Sequence, residues 1–175
     1  MSEKSMAGND FDLQALYQAI DAKRVAEALS WAEVRRRVNR FQLELRPMSI
    51  ATIRGSSDKT HAEGDGVLQL LLWLDLTPEH FMPSFANDEI SFKLPTPPKD
   101  KILRWDTVAI YDGLNRRRQQ NKQSWREVAD EIEGFTASML TRMKEKQGRV
   151  GFPHIMRLVV WMQQPSIDFM RISDF

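Results

Sequence analysis

The sequence SWREV at residues 124–128 indicates how this chain is organised, because it repeats SWAEV at residues 30–34. The two copies stand 94 residues apart, as the positions of Trp125 and Trp31 show. The same offset relates four further sites: Phe11-Asp12, Ala15, Tyr17 and Arg24 recur as Trp105-Asp106, Ala109, Tyr111 and Arg118. Chance does not keep one offset through so many positions, so the chain contains a duplicated unit.

The repeat continues downstream with a different spacing. Leu70, Trp73, Phe81 and Met82 recur as Leu158, Trp161, Phe169 and Met170, which are 88 residues away. The first copy therefore carries a net insertion, and each unit contains roughly 70 residues. A duplicated unit this small is typical of a binding module, because two linked copies convert weak contacts into avidity.

The chain is predicted to have four parts. Residues 1–9 form a polar tail, residues 10–82 the first unit and residues 103–175 the second. Residues 83–102 are expected to be a linker because they are rich in proline, with a short strand at Ile90–Leu94. A proline-rich linker is semi-rigid, so the two units should hold a preferred orientation.

Helical spacing of apolar residues predicts five short helices in each unit. The expected capping residues are Asp12, Ser30 with Glu33, and Thr77-Pro78 in the first unit, and Asp106, Ser124 with Glu127, Thr136 and Ser166 in the second. A third helix is expected around Ile50 and Ile53, and fourth helices at Val67–Leu74 and Pro153–Met162. The predicted fold is all-α, with two tandem five-helix domains.

Composition excludes several classes of protein. The chain of 175 residues has no Cys, which excludes disulfides and thiolate metal sites and is typical of a reducing compartment. Its longest apolar run, Leu70–Leu74, is too short to cross a bilayer, and its first ten residues lack the pattern of a secretory signal. We therefore expect a cytoplasmic protein with no membrane partner.

The net charge of +1 conceals an uneven distribution. Residues 101–150 contain 11 Lys and Arg against 7 Asp and Glu, whereas residues 51–100 contain 4 against 8. A polyanionic partner would therefore be expected on the second unit.

The second unit resembles a Cro/repressor-type (XRE) helix-turn-helix over residues 124–143. Val128 and Ile132 on the supporting helix, and Leu140 and Met143 on the next helix, occupy positions that such a motif buries. The layout of both units resembles bacterial tandem helix-turn-helix transcriptional regulators. The resemblance implies two lambda-repressor-like domains that bind double-stranded DNA sequence-specifically.

Three positions depart from the family pattern. Trp31 and Trp125 stand where the family has a Gln that contacts the DNA backbone, so that contact is not carried over. Arg35 fills the position of the small residue Ala129. The turn after the supporting helix has Gly134 in the second unit and Asn39 in the first, and both residue types tolerate a left-handed backbone.

The resemblance also implies the DNA-contacting residues, because a recognition helix meets base edges in the major groove near its N-terminus. The candidates for base or phosphate contact are Thr136, Ala137, Ser138, Thr141 and Arg142. The candidates for neutralising phosphates are Arg126, Lys144, Lys146 and Arg149. In the first unit the matching residues are Arg46, Ser49, Thr52 and Arg54.

Other interpretations remain open at this stage. Thr136 can serve only as a helix cap, and the runs at residues 35–37 and 116–118 can be solvated faces. The repeated Trp and Tyr residues are expected in the core. An alternative function is a protein-interaction or scaffold module that reuses this fold without DNA, with a protein partner or a homodimer.

Nothing in the sequence indicates catalysis. His61, His80 and His154 have no metal-binding spacing and are interpreted as incidental. There is no phosphate-binding glycine loop and no recognisable nucleophile with a base. We therefore expect a protein that is not an enzyme and that has neither a cofactor nor a metal.

Overall fold

The computed structural model describes residues 10–38, 64–85, 87–145 and 150–174. The α-helices of these ranges are α1 (Leu13–Ala26), α2 (Trp31–Val38), α3 (Gly64–Leu74), α4 (Thr107–Gln120), α5 (Trp125–Glu131), α6 (Ala137–Arg142) and α7 (Phe152–Met162). Single 3-10 turns lie at Pro78–Phe81, Pro83–Phe85 and Ser166–Phe169. Strands β1 (Lys101–Trp105) and β2 (Met170–Asp174) form one antiparallel sheet. None of the helices in the described ranges has the length and hydropathy needed to cross a membrane.

The duplication is visible in the caps of equivalent helices. The Asp12 side chain accepts a hydrogen bond from Ala15 N at 2.9 Å, and Asp106 accepts one from Ala109 N at 3.0 Å. Ser124 N donates to Glu127 Oε2 at 2.7 Å, as Ser30 N donates to Glu33 Oε2 at 2.6 Å. Hydrogen bonds from the backbone and hydroxyl of each serine lower the pKa of its glutamate. The predicted caps of these four helices are confirmed.

The turns that follow equivalent helices repeat an uncommon backbone conformation. Ala28 (φ 53°) and Lys122 (φ 54°) follow α1 and α4, and Asp75 (φ 56°) and Gln163 (φ 55°) follow α3 and α7. Positive φ is unusual for residues other than glycine, so its recurrence at the two sequence offsets reflects a shared backbone path.

The prediction of two five-helix, all-α domains is wrong. Each residue of β1 pairs with one of β2, from Lys101 with Asp174 to Trp105 with Met170. β1 occupies the end of the predicted linker and the start of the second unit, whereas the expected strand at Ile90–Leu94 is irregular. The expected short helices at Pro78 and Ser166 are only 3-10 turns. The third helix of the first unit lies outside the described residues, as does the expected tail at residues 1–9.

The sheet forms for a reason that helical periodicity does not detect. Leu103 and Trp105 enter the core, and Ile102 is also buried, so β1 is apolar on both faces. An extended segment leaves one unpaired row of backbone groups on each side, and these groups must find partners when they are buried. β2 supplies those partners on one side.

The two copies share one hydrophobic core. Phe11 of the first copy contacts Phe152 of the second, with 4.6 Å between ring centroids, and the buried Glu79 accepts hydrogen bonds from Ser166. Asp10 forms an ion pair with Arg157 at 2.8 Å. The copies therefore pack against each other along an interface that is partly apolar and partly polar.

Candidate nucleic-acid interface

The four residues that the helix-turn-helix pattern singles out are buried on α5 and α6 or at the ends of these helices. Val128 and Leu140 are fully buried, Met143 is 2% exposed and Ile132 is 4% exposed. Ala129 is half-buried against the core, whereas Arg35 at its equivalent position is exposed. The predicted buried side of this pair of helices is confirmed.

The turn between α5 and α6 depends on Gly134, whose φ is +85°. A Cβ atom there would lie 2.9 Å from His154 Nε2 and 3.2 Å from Arg157 Nη1. The Arg157 guanidinium also donates to Glu133 O at 3.2 Å, and the His154 ring lies edge-on to Phe135. Two side chains of α7 therefore hold this turn in place.

Replacing Gly134 with alanine is expected to lower the free energy of unfolding by about 2 kcal/mol, because a left-handed backbone and a close contact are both penalised. Urea unfolding of the two proteins measures the change. Gly134→Asn is the matched control, since asparagine tolerates positive φ but still carries a Cβ. Equal stability of Gly134→Ala and the parent would contradict this account of the turn.

Some polar side chains of α6 and its cap form hydrogen bonds within the helix, and others are exposed to solvent. The Thr136 hydroxyl accepts from Met139 N at 3.2 Å, and the Thr141 hydroxyl donates to Ser138 O at 3.2 Å. Thr136 is thus the helix cap, and Ala137 is half-buried. Ser138 and Arg142 are exposed, and neither side chain forms a hydrogen bond or ion pair with another described residue.

Sequence reasoning missed one residue of this surface. Met139 is 44% exposed, although it lies on the helix whose other apolar residues are buried. Spacing along the helix gave no signal for this exposure, because Met139 lies one residue before the buried Leu140 and four before the buried Met143, which places it at the border of the buried side. An exposed methionine beside Ser138 and Arg142 adds an apolar, adaptable contact to the face.

Three of the basic residues predicted to contact phosphates or bases lie on or next to α5 and α6 in the described part of the chain. Arg126, Arg142 and Lys144 are exposed, and none of them forms a salt bridge with another described residue. Lys146 and Arg149 lie outside the described residues. The candidates of the first unit, Arg46, Ser49, Thr52 and Arg54, also lie outside them.

Other arginines have structural roles. Arg118 lies 4.9 Å from the centre of the Trp125 ring and donates to Gln123 O at 2.9 Å, while Tyr111 stacks on the same Trp at 5.3 Å. Arg24, Trp31 and Tyr17 repeat this arrangement in the first copy. Trp31 and Trp125 are therefore half-buried packing residues, each in contact with a tyrosine and an arginine.

The equivalent surfaces of α2 and α5 differ in charge. Arg35, Arg36 and Arg37 are exposed on α2, whereas the matching residues of α5 are Ala129, Asp130 and Glu131. Arg37 pairs with Glu27 at 2.6 Å, and Glu131 accepts from Trp161 Nε1 at 2.8 Å. The sequence favours solvated surface for the two arginine runs. Arg35 and Arg36 are exposed as expected. In the run at residues 116–118, however, Arg117 packs on Trp161 and Arg118 on Trp125.

Within residues 10–38, 64–85, 87–145 and 150–174, no group of three or more His, Asp or Glu residues is placed to hold a metal ion. His80 Nδ1 lies 3.0 Å from Thr77 N, so it caps a 3-10 turn, and His154 packs on Phe135. His61 lies outside the described residues. An open cleft beside α2, lined by Lys23, Arg36 and Trp73 among others, is exposed to solvent.

The chain matches no protein-family model, no curated protein and no solved structure.

Proposed function

We propose that this protein binds duplex DNA sequence-specifically as a transcriptional regulator, with α6 in the major groove. The observation that carries the proposal is the exposed face of α6. Ser138, Met139 and Arg142 share this short helix, and Arg126 and Lys144 stand before and after it without salt bridges to other described residues. The resemblance of residues 124–143 to a helix-turn-helix supports the same placement.

The chemistry of these side chains suits a groove. A serine hydroxyl can bond to a base edge or a phosphate, and an arginine can pair bidentately with guanine. Met139 offers an apolar surface to a thymine methyl group. Arg126 and Lys144 carry the positive charge that positions a protein on the phosphate backbone.

Rigid support for α6 also favours the proposal. Its inner side is buried through Leu140 and Met143, and its turn is held by His154 and Arg157 of α7. A recognition helix that is already fixed loses little conformational entropy when it binds. We also propose a cytoplasmic location, which the absence of Cys favours.

The experiment is a binding titration against a randomised duplex pool at two salt concentrations, followed by sequencing of the bound fraction. An enriched motif with salt-sensitive affinity is expected, because phosphate contacts release counterions. Absence of both binding at low salt and enrichment would contradict the proposal. The exposed face of α6 would then be a candidate for binding a protein partner.

Arg142→Ala is expected to weaken binding to the enriched site by about 1–3 kcal/mol, if Arg142 pairs with guanine, and to relax specificity at one position. Arg116→Ala is the matched control, because Arg116 is an exposed arginine on α4 without a salt bridge to any described residue. Lys144→Ala should instead weaken binding to all sequences and reduce the salt slope by about one. Equal affinities of Arg142→Ala and the parent would remove Arg142 from the interface.

A further inference from the structure

The two edges of the sheet differ in how their backbone groups are satisfied. On the outer edge of β1, Gln69 Nε2 donates to Leu103 O at 2.9 Å, and Trp105 N donates to Asp65 Oδ1 at 3.0 Å. Side chains of α3 therefore close this edge. On the outer edge of β2, no described residue forms a hydrogen bond with the backbone of Ile172.

The direction of the β2 backbone groups follows from the antiparallel ladder. Because Leu103 and Trp105 direct their backbone groups toward α3, Ile102 and Arg104 bond to the opposite strand. The backbone groups of their partners on β2, Ser173 and Arg171, therefore point toward β1. The N–H and C=O groups of Ile172, at the centre of β2, consequently point outward.

The side chain of Ile172 is also incompletely covered. It stands opposite Leu103, which is fully buried, but Ile172 itself is 43% exposed. Both residues lie on the same face of the sheet, since cross-strand partners share a face. The apolar row that begins in the core at Leu103 thus ends at the outer edge of β2, where no described residue pairs with the Ile172 backbone.

We propose that β2 pairs antiparallel with β2 of a second copy of this chain, with Ile172 opposite its counterpart on a two-fold axis. The two-stranded sheet would become a four-stranded one, and the apolar row would continue from Leu103 through both Ile172 residues to the second Leu103. The outer edge of a sheet presents unpaired backbone groups, which can act as a template for pairing with a strand of another chain. The proposal does not depend on DNA binding.

The sequence of β2 selects this register. When two copies of β2 pair antiparallel, residues whose backbone groups point outward must lie opposite each other. The two-fold axis therefore passes through Ile172, or it lies one residue away at Arg171 or Ser173. An axis at Arg171 places two like charges directly opposite, which is unfavourable. An axis at Ser173 leaves Met170 without a partner, whereas the axis at Ile172 pairs all five residues of Met170–Asp174.

The first test is the mass of the full chain in solution, measured by sedimentation equilibrium over a range of concentrations. We expect a species of twice the chain mass of 20.4 kDa for the parent and a twofold lower mass for Ile172→Lys, which sets two ammonium groups opposite each other. Val25→Lys is the matched control, because Val25 is 61% exposed on α1, and it should remain dimeric. A parent that is monomeric at every concentration would overturn the proposal, as would a dimer that Ile172→Lys leaves intact while it is folded by circular dichroism.

A cross-link tests the same contact if Ile172→Lys fails to fold. The chain has no Cys, so a single introduced cysteine reports one position. Facing residues of a hydrogen-bonded antiparallel pair have Cα atoms about 5.5 Å apart, within the range that a disulfide spans. Ile172→Cys should form a covalent dimer under mild oxidation, and Val25→Cys should form at least tenfold less. Equal cross-linking of the two variants would reflect random collision and would overturn the proposal.

Discussion

Replacing Phe152 with alanine is expected to lower the free energy of unfolding by about 3–5 kcal/mol, the largest effect of a single substitution that we anticipate. Phe152 has no exposed surface. Its ring centroid lies 4.6 Å from that of Phe11 and 5.5 Å from that of Trp105. Truncation would open a cavity where the first copy, β1 and α7 meet, so both copies would be destabilised together.

The loss is measured by urea unfolding and by a melting temperature that should fall by roughly 10 °C for a chain of this size. Phe152→Leu is a control that retains most of the buried volume and should cost less. Phe85→Ala makes the same chemical change at a half-buried position and should also cost less. If Phe85→Ala and Phe152→Ala were equally destabilising, Phe152 would have no special place in the shared core.

Glu79→Ala is expected to cost about 3 kcal/mol, because it removes two hydrogen bonds to a buried carboxylate. Glu79 is 4% exposed, and its two oxygens accept from Ser166 N at 2.7 Å and Ser166 Oγ at 2.9 Å. Ser166 is fully buried, so its N–H would lose its partner away from water. This contact joins the 3-10 turn of one copy to that of the other.

A double-mutant cycle separates the parts of this contact. Ser166→Ala should cost less than Glu79→Ala, because it removes the hydroxyl bond and retains the backbone one. Glu89→Ala, at an exposed glutamate, is the control for a change of charge alone and should be nearly neutral. Additive effects of Glu79→Ala and Ser166→Ala would show that the two residues are not coupled.

The starts of α1, α2, α4 and α5 could be predicted from the sequence because a cap is formed within a few residues. Asp12 and Asp106 accept from residues three positions ahead, and the serine–glutamate boxes are equally local. Such contacts depend on sequence spacing, which the printed sequence contains. The inner side of α5 and α6 was predictable for a similar reason, since helical periodicity assigns Val128 and Leu140 to the buried face.

The outer side of the candidate site was harder to predict. Thr136 was expected as a helix cap and is one, but the hydrogen bond of the Thr141 hydroxyl within α6 was not predicted. The run at residues 116–118 looked uniform, yet Arg118 packs on Trp125. The recurrence of Arg and Trp seven residues apart, at Arg24 and Trp31 and again at Arg118 and Trp125, was the available signal. Its meaning depended on ring geometry that spacing does not specify.

By itself, the sequence determined the duplication, the starts of α1, α2, α4 and α5, and the buried positions of residues 124–143. Tertiary structure alone decided the sheet, the shared core and the outer edge of β2, with which no described residue pairs. The physical reason is the range of the contacts. A cap is complete within one helical turn, whereas β1 needs a strand from the far end of the second copy, and Phe11 needs Phe152. A pattern read along the chain does not contain partners that only folding brings together.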